Sequence, residues 1–159
     1  MSLIPEACFF TGHRLIPNEE KEELKASLKK AIVAMIENGV TVFICGGALG
    51  FDTLAAQTVL DLKKNYDIRL CMYLPCDTQH IDWECSDVFE YTRINSLADE
   101  VFYVSRGEKT PGVMKKRNKA MVEAADYGIC YMKDRKSGTG QTVNMAEEKG
   151  ISIINLYEK

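Results

Sequence analysis

Residues 40–52 read VTVFICGGALGFD: six residues suited to a buried strand, then a backbone bare of side chains at Gly46, Gly47 and Gly50, then Phe51 and Asp52. An unbroken apolar run rich in β-branched and aromatic residues points to a strand covered on both faces, as in parallel sheets. Glycines between a strand and a helix permit positive φ and let backbone N–H groups approach a ligand with no Cβ in the way. A helix starting here presents unpaired N–H donors and the positive end of its dipole, which favours an anion. Whether this unit recurs along the chain decides the fold.

It recurs. ACFFT (7–11), IRLCMYLP (68–75), EVFYVS (100–105), YGICYM (127–132) and ISIINLY (151–157) read as further strands. Helical spacing fills the intervals. Leu24, Leu28, Ile32 and Met35 share a face from Asn18 to a stop at Gly39, and Leu54, Ala55, Val59 and Leu62 share one over about 52–65. A mixed loop from residue 76 leads into a helix ending near Leu97, and further helices are expected over 113–125 and 141–149. The alternation predicts an α/β fold: a Rossmann-like, doubly wound, mainly parallel sheet with helices on both faces, in one domain over 1–159.

Composition narrows the function. Twenty basic residues against 23 acidic ones give a net charge of −3, which argues against nucleic acid as a partner, since a phosphate-coating surface needs a basic excess. No run approaches the roughly 20 apolar residues of a membrane span, and MSLIPEACFFTGHR lacks a basic segment followed by a long apolar one, so no membrane association and a cytoplasmic location are expected. Cys8, Cys45, Cys71 and Cys130 fall inside apolar runs, where a free thiol behaves as a small hydrophobe. Cys76, His80 and Cys85 are the one spacing to weigh for a metal; it is loose and without a fourth ligand, so no metal is expected.

Ligands of doubly wound sheets sit beyond the carboxyl ends of the strands. Three such ends carry polar clusters: Thr11-Gly12-His13-Arg14, the Gly46–Asp52 turn, and, after a basic turn, Ser137-Gly138-Thr139-Gly140-Gln141-Thr142. The last combines glycines with hydroxyls and is the better phosphate cradle. Asp52 suits a helix N-cap or an acceptor for sugar hydroxyls. Arg14 offers a bidentate partner to phosphate, while His13 reads either as a hydrogen-bonding loop residue or as a base. Arg117 shares a helix face with Met114, Met121 and Ala124, so its charge must enter a cleft or meet a carboxylate. Trp83 and Tyr91 suit base stacking or core packing equally. Neither glycine cluster is a Walker loop or a G-x-G-x-x-G dinucleotide motif.

TGHR (11–14), GGALGFD (46–52), the LPC-loop-Trp stretch (74–83), KKRNKAMVEAAD (115–126) and SGTGQTVNMAEEKGI (137–151) together resemble the SMF/DprA–LOG (SLOG) superfamily, and within it the YpsA-like branch. The resemblance implies a nucleotide-binding fold whose glycine-rich strand ends hold a nucleotide or an ADP-ribose-like ligand, with no cofactor required. By position, the resemblance implies a binding set of Gly12, Arg14, Gly46, Gly47, Gly50, Asp52, Arg117, Ser137, Gly138, Thr139 and Thr142, to which the strand-end clusters themselves add His13 and Gly140 as candidates. LOG-like relatives form dimers, and the apolar Met114, Met121 and Val122 of the 113–125 helix make it the expected homodimer face. LOG-type phosphoribohydrolases carry a glutamate just after their glycine–threonine turn; here that stretch is Gln141-Thr142-Val143-Asn144, and Glu147 and Glu148 come a turn later. Three functions therefore stand: binding or sensing of a nucleotide-derived ligand, which leads; N-glycosidic hydrolysis, with Asp52 and Arg117 as candidate catalytic groups; and single-stranded DNA binding as in the DprA branch.

Overall fold

The computed structural model describes residues 6–157, so residues 1–5 and 158–159 of the expected 1–159 domain lie outside the described residues. Strands β1 (Glu6–Gly12), β2 (Val40–Cys45), β3 (Arg69–Leu74), β4 (Glu100–Tyr103), β5 (Tyr127–Tyr131) and β6 (Ser152–Asn155) alternate with helices α1 (Asn18–Glu37), α2 (Phe51–Leu62), α3 (Cys85–Leu97), α4 (Val113–Ala124) and α5 (Gly138–Lys149). The strands form one sheet in the order β4-β3-β2-β1-β5-β6, and every neighbouring pair is parallel. The predicted doubly wound α/β fold is therefore present, and its sheet is parallel throughout. The chain runs outward from β1 to β4, then returns across β1 to lay down β5 and β6. The connections diverge between β1 and β5, the place where such sheets open a crevice at their carboxyl edge.

Both faces of the sheet are covered because its central strands carry apolar residues toward both faces along most of their length. Successive residues point to opposite faces. Phe10, Phe43, Leu70 and Met72 pack under α1 and α2 through Leu28, Ile32 and Val59, while Phe9, Ile44 and Cys71 pack under α4 and α5 through Met121, Val122 and Ala146. Each large side chain so buried contributes about 1.5–3 kcal/mol. Cys8, Cys45, Cys71 and Cys130 are buried free thiols, as the strand reading expects. The first and fifth strands are tied at their entry: the Asp126 N–H donates to the Ala7 carbonyl at 2.8 Å, and the Ala7 N–H donates to Asp126 Oδ2 at 2.9 Å.

Several elements depart from their sequence reading for local reasons. β4 is a strand as expected, shorter than the 100–105 reading, and Phe102 is 51% exposed because β4 is an edge strand paired only with β3. α5 begins at Gly138, three residues before the predicted start, because Ser137 caps it: the Gly140 N–H donates to Ser137 Oγ at 3.1 Å. Met121 and Val122 pack on the protein's own sheet, so of the three apolar α4 residues expected at a homodimer face only Met114 stays partly exposed. Trp83 meets Tyr91 edge-on at 5.2 Å and His80 stacks on Tyr91 at 4.8 Å, so these rings pack against one another. Among the described residues, no helix is long and apolar enough to cross a membrane.

Candidate functional site

The ends of β1, β2 and β5 meet over a cavity of about 260 Å³, walled by Thr11–Arg14, Ala48 and Asp52, the inner face of α4 through Met114, Arg117 and Asn118, and Ser137–Thr139. Seven of the residues marked in the sequence line it: Gly12, His13, Arg14, Asp52, Arg117, Ser137, Gly138; an eighth, Thr139, completes the α5 side.

Asp52 and Arg117 form its buried wall, each only 5% exposed. Asp52 is not the N-cap of α2; Gly50 holds that position at φ +79° with no side-chain cap, which leaves Asp52 in the first turn. Its carboxylate bends back instead, and Oδ2 accepts the Ala48 N–H at 3.2 Å. Its Oδ1 is buried with no partner. Arg117 donates from Nη1 to the Gly46 carbonyl and from Nε to Asn118 Oδ1 at 2.7 Å. A Cβ on Gly46 would lie 2.6 Å from Arg117 Nη1 and 3.0 Å from Asp52 Oδ2, so the absent side chain is what lets the two charges flank one backbone position. Burial pushes the Asp52 carboxyl up to about 6, against the opposing pull of Arg117, the Ala48 N–H and Arg14. Burial also lowers Arg117, and Asp52 counters it. A buried polar oxygen without a partner is costly, and one facing a cavity is a place for a hydroxyl donor.

The opposite wall is open. Ser137 Oγ takes the Gly140 N–H and the Ser137 carbonyl takes that of Gln141, which leaves the Gly138 and Thr139 N–H groups, the first two of α5, without intrahelical partners. A Cβ built on Gly138 meets nothing within 4 Å. Arg14 is exposed at the rim. His13 is occupied: its Nε2 accepts the Lys133 N–H at 2.8 Å, and burial followed by Lys133 lowers its pKa, so the neutral ring latches the β1 loop to the β5 loop.

The remaining marked residues lie outside the cavity wall, and most are there for packing. A Cβ on Gly47 would strike Leu74 Cδ2 at 2.5 Å, one on Gly50 the Arg14 carbonyl oxygen at 2.2 Å, and one on Gly140 the Arg135 carbonyl oxygen at 2.0 Å. Thr142 is fully buried and donates to the Gly138 carbonyl at 3.1 Å. Glu147, one of the acids downstream of the turn, is paired with Arg135 at 2.9 Å on the surface. Sequence reasoning missed Asn118, whose only signal is its place beside Arg117, and Gln79, which is buried near Gly47 with an unpartnered Oε1 and sits in a loop without periodicity.

The profile of the YspA SLOG family matches residues 11–153. An uncharacterised SPbeta prophage-derived protein, YoqJ of Bacillus subtilis (strain 168), is 30% identical over 80% of this chain and 85% of its own. A UPF0398 protein of Bacillus thuringiensis (strain Al Hakam) is 27% identical over 86% of this chain and 75% of its own. Among solved structures, DNA processing protein A of Helicobacter pylori, described for its single-stranded DNA binding mode, superposes with a TM-score of 0.67 at 20% identity, covering 94% of this chain. The Streptococcus pneumoniae protein of the same name superposes at 0.64 with 16% identity over 94% of this chain. This chain spans 64% and 49% of those two structures. The first of them corrects the argument that a net charge of −3 tells against nucleic acid: this fold serves single-stranded DNA in the Helicobacter protein, and phosphate recognition depends on where cations sit rather than on their sum. The strand-end motifs, the parallel sheet and the profile match agree: the chain belongs to the YspA SLOG family.

Proposed function

We propose that the protein binds a nucleotide or nucleotide-derived phosphate ligand in the cavity between β1, β2 and β5, acting in the cytoplasm as a binding or sensing protein. The observation that carries this reading is the pairing of two unlike walls. One is the buried Asp52, with an unpartnered Oδ1 beside Arg117; the other is the open first turn of α5, whose Gly138 and Thr139 N–H groups have no intrahelical partners. A carboxylate suits sugar hydroxyls, and a helix N-terminus suits a phosphate. Titration calorimetry with AMP tests it. Wild type should bind, and a folded Gly138→Val variant, whose side chain enters the open space, should bind at least about tenfold more weakly. Unchanged affinity would remove the α5 turn from the site. Turnover is read in the same samples by chromatography: adenine released by wild type and lost in Asp52→Asn with binding intact would make the protein a hydrolase. Single-stranded DNA is the second reading, favoured by the fold it shares with the Helicobacter protein. Salt-dependent binding of an oligonucleotide that excludes AMP would promote it.

A further inference from the structure

A second hollow, of about 510 Å³, lies outside the strand-end cavity, between the start of α1 and the start of α2. Its apolar part is aliphatic: Leu54 is buried, Ile16 and Leu49 are half-buried, and Leu15 stands at the lip, 86% exposed. Its rim is basic. Arg14, Lys21 and Lys25 line it against the single acid Asp87, and the two lysines, four residues apart, share one face of α1. Among the described residues, the side chains of Arg14 and Lys21 make no hydrogen bond or ion pair, and Lys25 has only an exposed contact with Glu22 at 3.6 Å. Thr53 adds a backbone donor: the first intrahelical bond of α2 runs from the Leu54 N–H to the Gly50 carbonyl, so the Thr53 N–H has no intrahelical partner. On a chain whose net charge is −3, this is a local excess of cations set around aliphatic surface. Such a surface complements an acidic segment that also carries an aliphatic side chain. Two features favour a peptide over a nucleic-acid strand. Sites for single strands stack bases on aromatic rings, and among the described residues no aromatic one lines this hollow. Asp87 would repel phosphates, whereas it can accept the backbone N–H groups of a peptide.

We propose that the hollow between α1 and α2 is a docking site for a partner protein, held through an acidic peptide segment with an aliphatic anchor. The anchor packs on Leu15 and Leu54, and the flanking carboxylates meet Arg14, Lys21 and Lys25. This docking is independent of what fills the Asp52 cavity. Because Arg14 also lines that cavity, the test is confined to the lysines and Leu15. A random peptide library displayed on phage is selected on the wild-type chain, and the peptide most enriched is made with a fluorescein label. Its binding is read by fluorescence polarisation, with circular dichroism melts to show that each variant is folded. Wild type should enrich peptides that set Asp or Glu around Leu, Ile or Val. Binding should weaken as salt is raised. It should fall at least about tenfold in Lys21→Glu/Lys25→Glu, and severalfold in Leu15→Ser. Lys21→Gln/Lys25→Gln serves if the glutamates unsettle α1. A selection that enriches no acidic sequence would overturn the site, as would unchanged affinity in the lysine variants or in Leu15→Ser. An oligothymidylate that displaces the peptide from wild type and fails to bind the lysine variants would give the hollow to single-stranded DNA instead.

Discussion

The two glycine-rich turns that reach the cavity look alike in sequence and differ in what surrounds them. Around the β2 turn every missing side chain is replaced by something: Arg117 and Asp52 at Gly46, Leu74 at Gly47, the Arg14 backbone at Gly50. At the α5 turn, Gly140 is filled by the Arg135 backbone, but Gly138 faces open space. Glycine at the first turn is therefore a means of packing protein against protein and of setting two charges side by side. Glycine at position 138 leaves room for something else. A glycine-rich strand end is thus no evidence of a ligand until its empty side is known to be empty.

The largest effect should come from Gly50→Ala. The new Cβ would meet a backbone oxygen at 2.2 Å at a φ of +79°, and neither can yield cheaply. A loss of about 3 kcal/mol or more is expected, lowering the thermal midpoint by about 10 °C. A midpoint within a degree or two of wild type would mean that the β1 and β2 loops are not interlocked.

Asp52→Asn tests the same wall through pH. Its folded pKa of about 6 lies above the ordinary 3.8, so the folded state holds this proton more tightly than the unfolded chain. Ionisation therefore costs stability as pH rises from about 4 to about 6, and the whole cost is present above that. The variant escapes it. Asp52→Asn should be more stable than wild type by about 2–3 kcal/mol near pH 7.5 and indistinguishable near pH 3.5. Chemical denaturation at the two pH values reads the difference directly, and a gap that is the same at both would show that Asp52 does not titrate as a buried group.

Gly138→Val should have the smallest effect on stability and so sharpens the contrast most. Its side chain enters unfilled space, and the denaturation midpoint should move by less than about 1 kcal/mol. A destabilisation matching that of Gly50→Ala would erase the distinction between the two turns.

Much of this was legible in the chain. The run Val40–Cys45 is a strand at both of its predicted ends, because a buried parallel strand needs apolar residues on both faces and few other structures do. Arg117 was placed in a cleft because a cation on an apolar helix face has nowhere else to go. What stayed hidden depends on residues far apart in sequence. Nothing near Gly50 announces that the backbone of Arg14, 36 positions earlier, fills the place a Cβ on it would take. The start of α5 was read late because Gly138 and Gly140 look like loop residues, yet Gly140 is what allows the helix to lie against the Arg135 backbone. The fate of Asp52 turned on a competition between capping α2 and receiving the Ala48 N–H, which local sequence does not decide.

The position of β1 between β2 and β5 also sets an order of events in time. A chain emerging from the ribosome can pair β1 with β2 as soon as residue 45 is free, but the other edge of β1 must wait for Tyr127. At ordinary synthesis rates the delay is on the order of 10 s, during which a strand destined for the centre of the sheet presents an open edge. The Ala7–Asp126 bonds, whose partners lie 119 residues apart, can close only afterwards. Arg117 reaches Asp52 only once α4 has been made, and the α5 turn follows, so the cavity takes shape only late in synthesis.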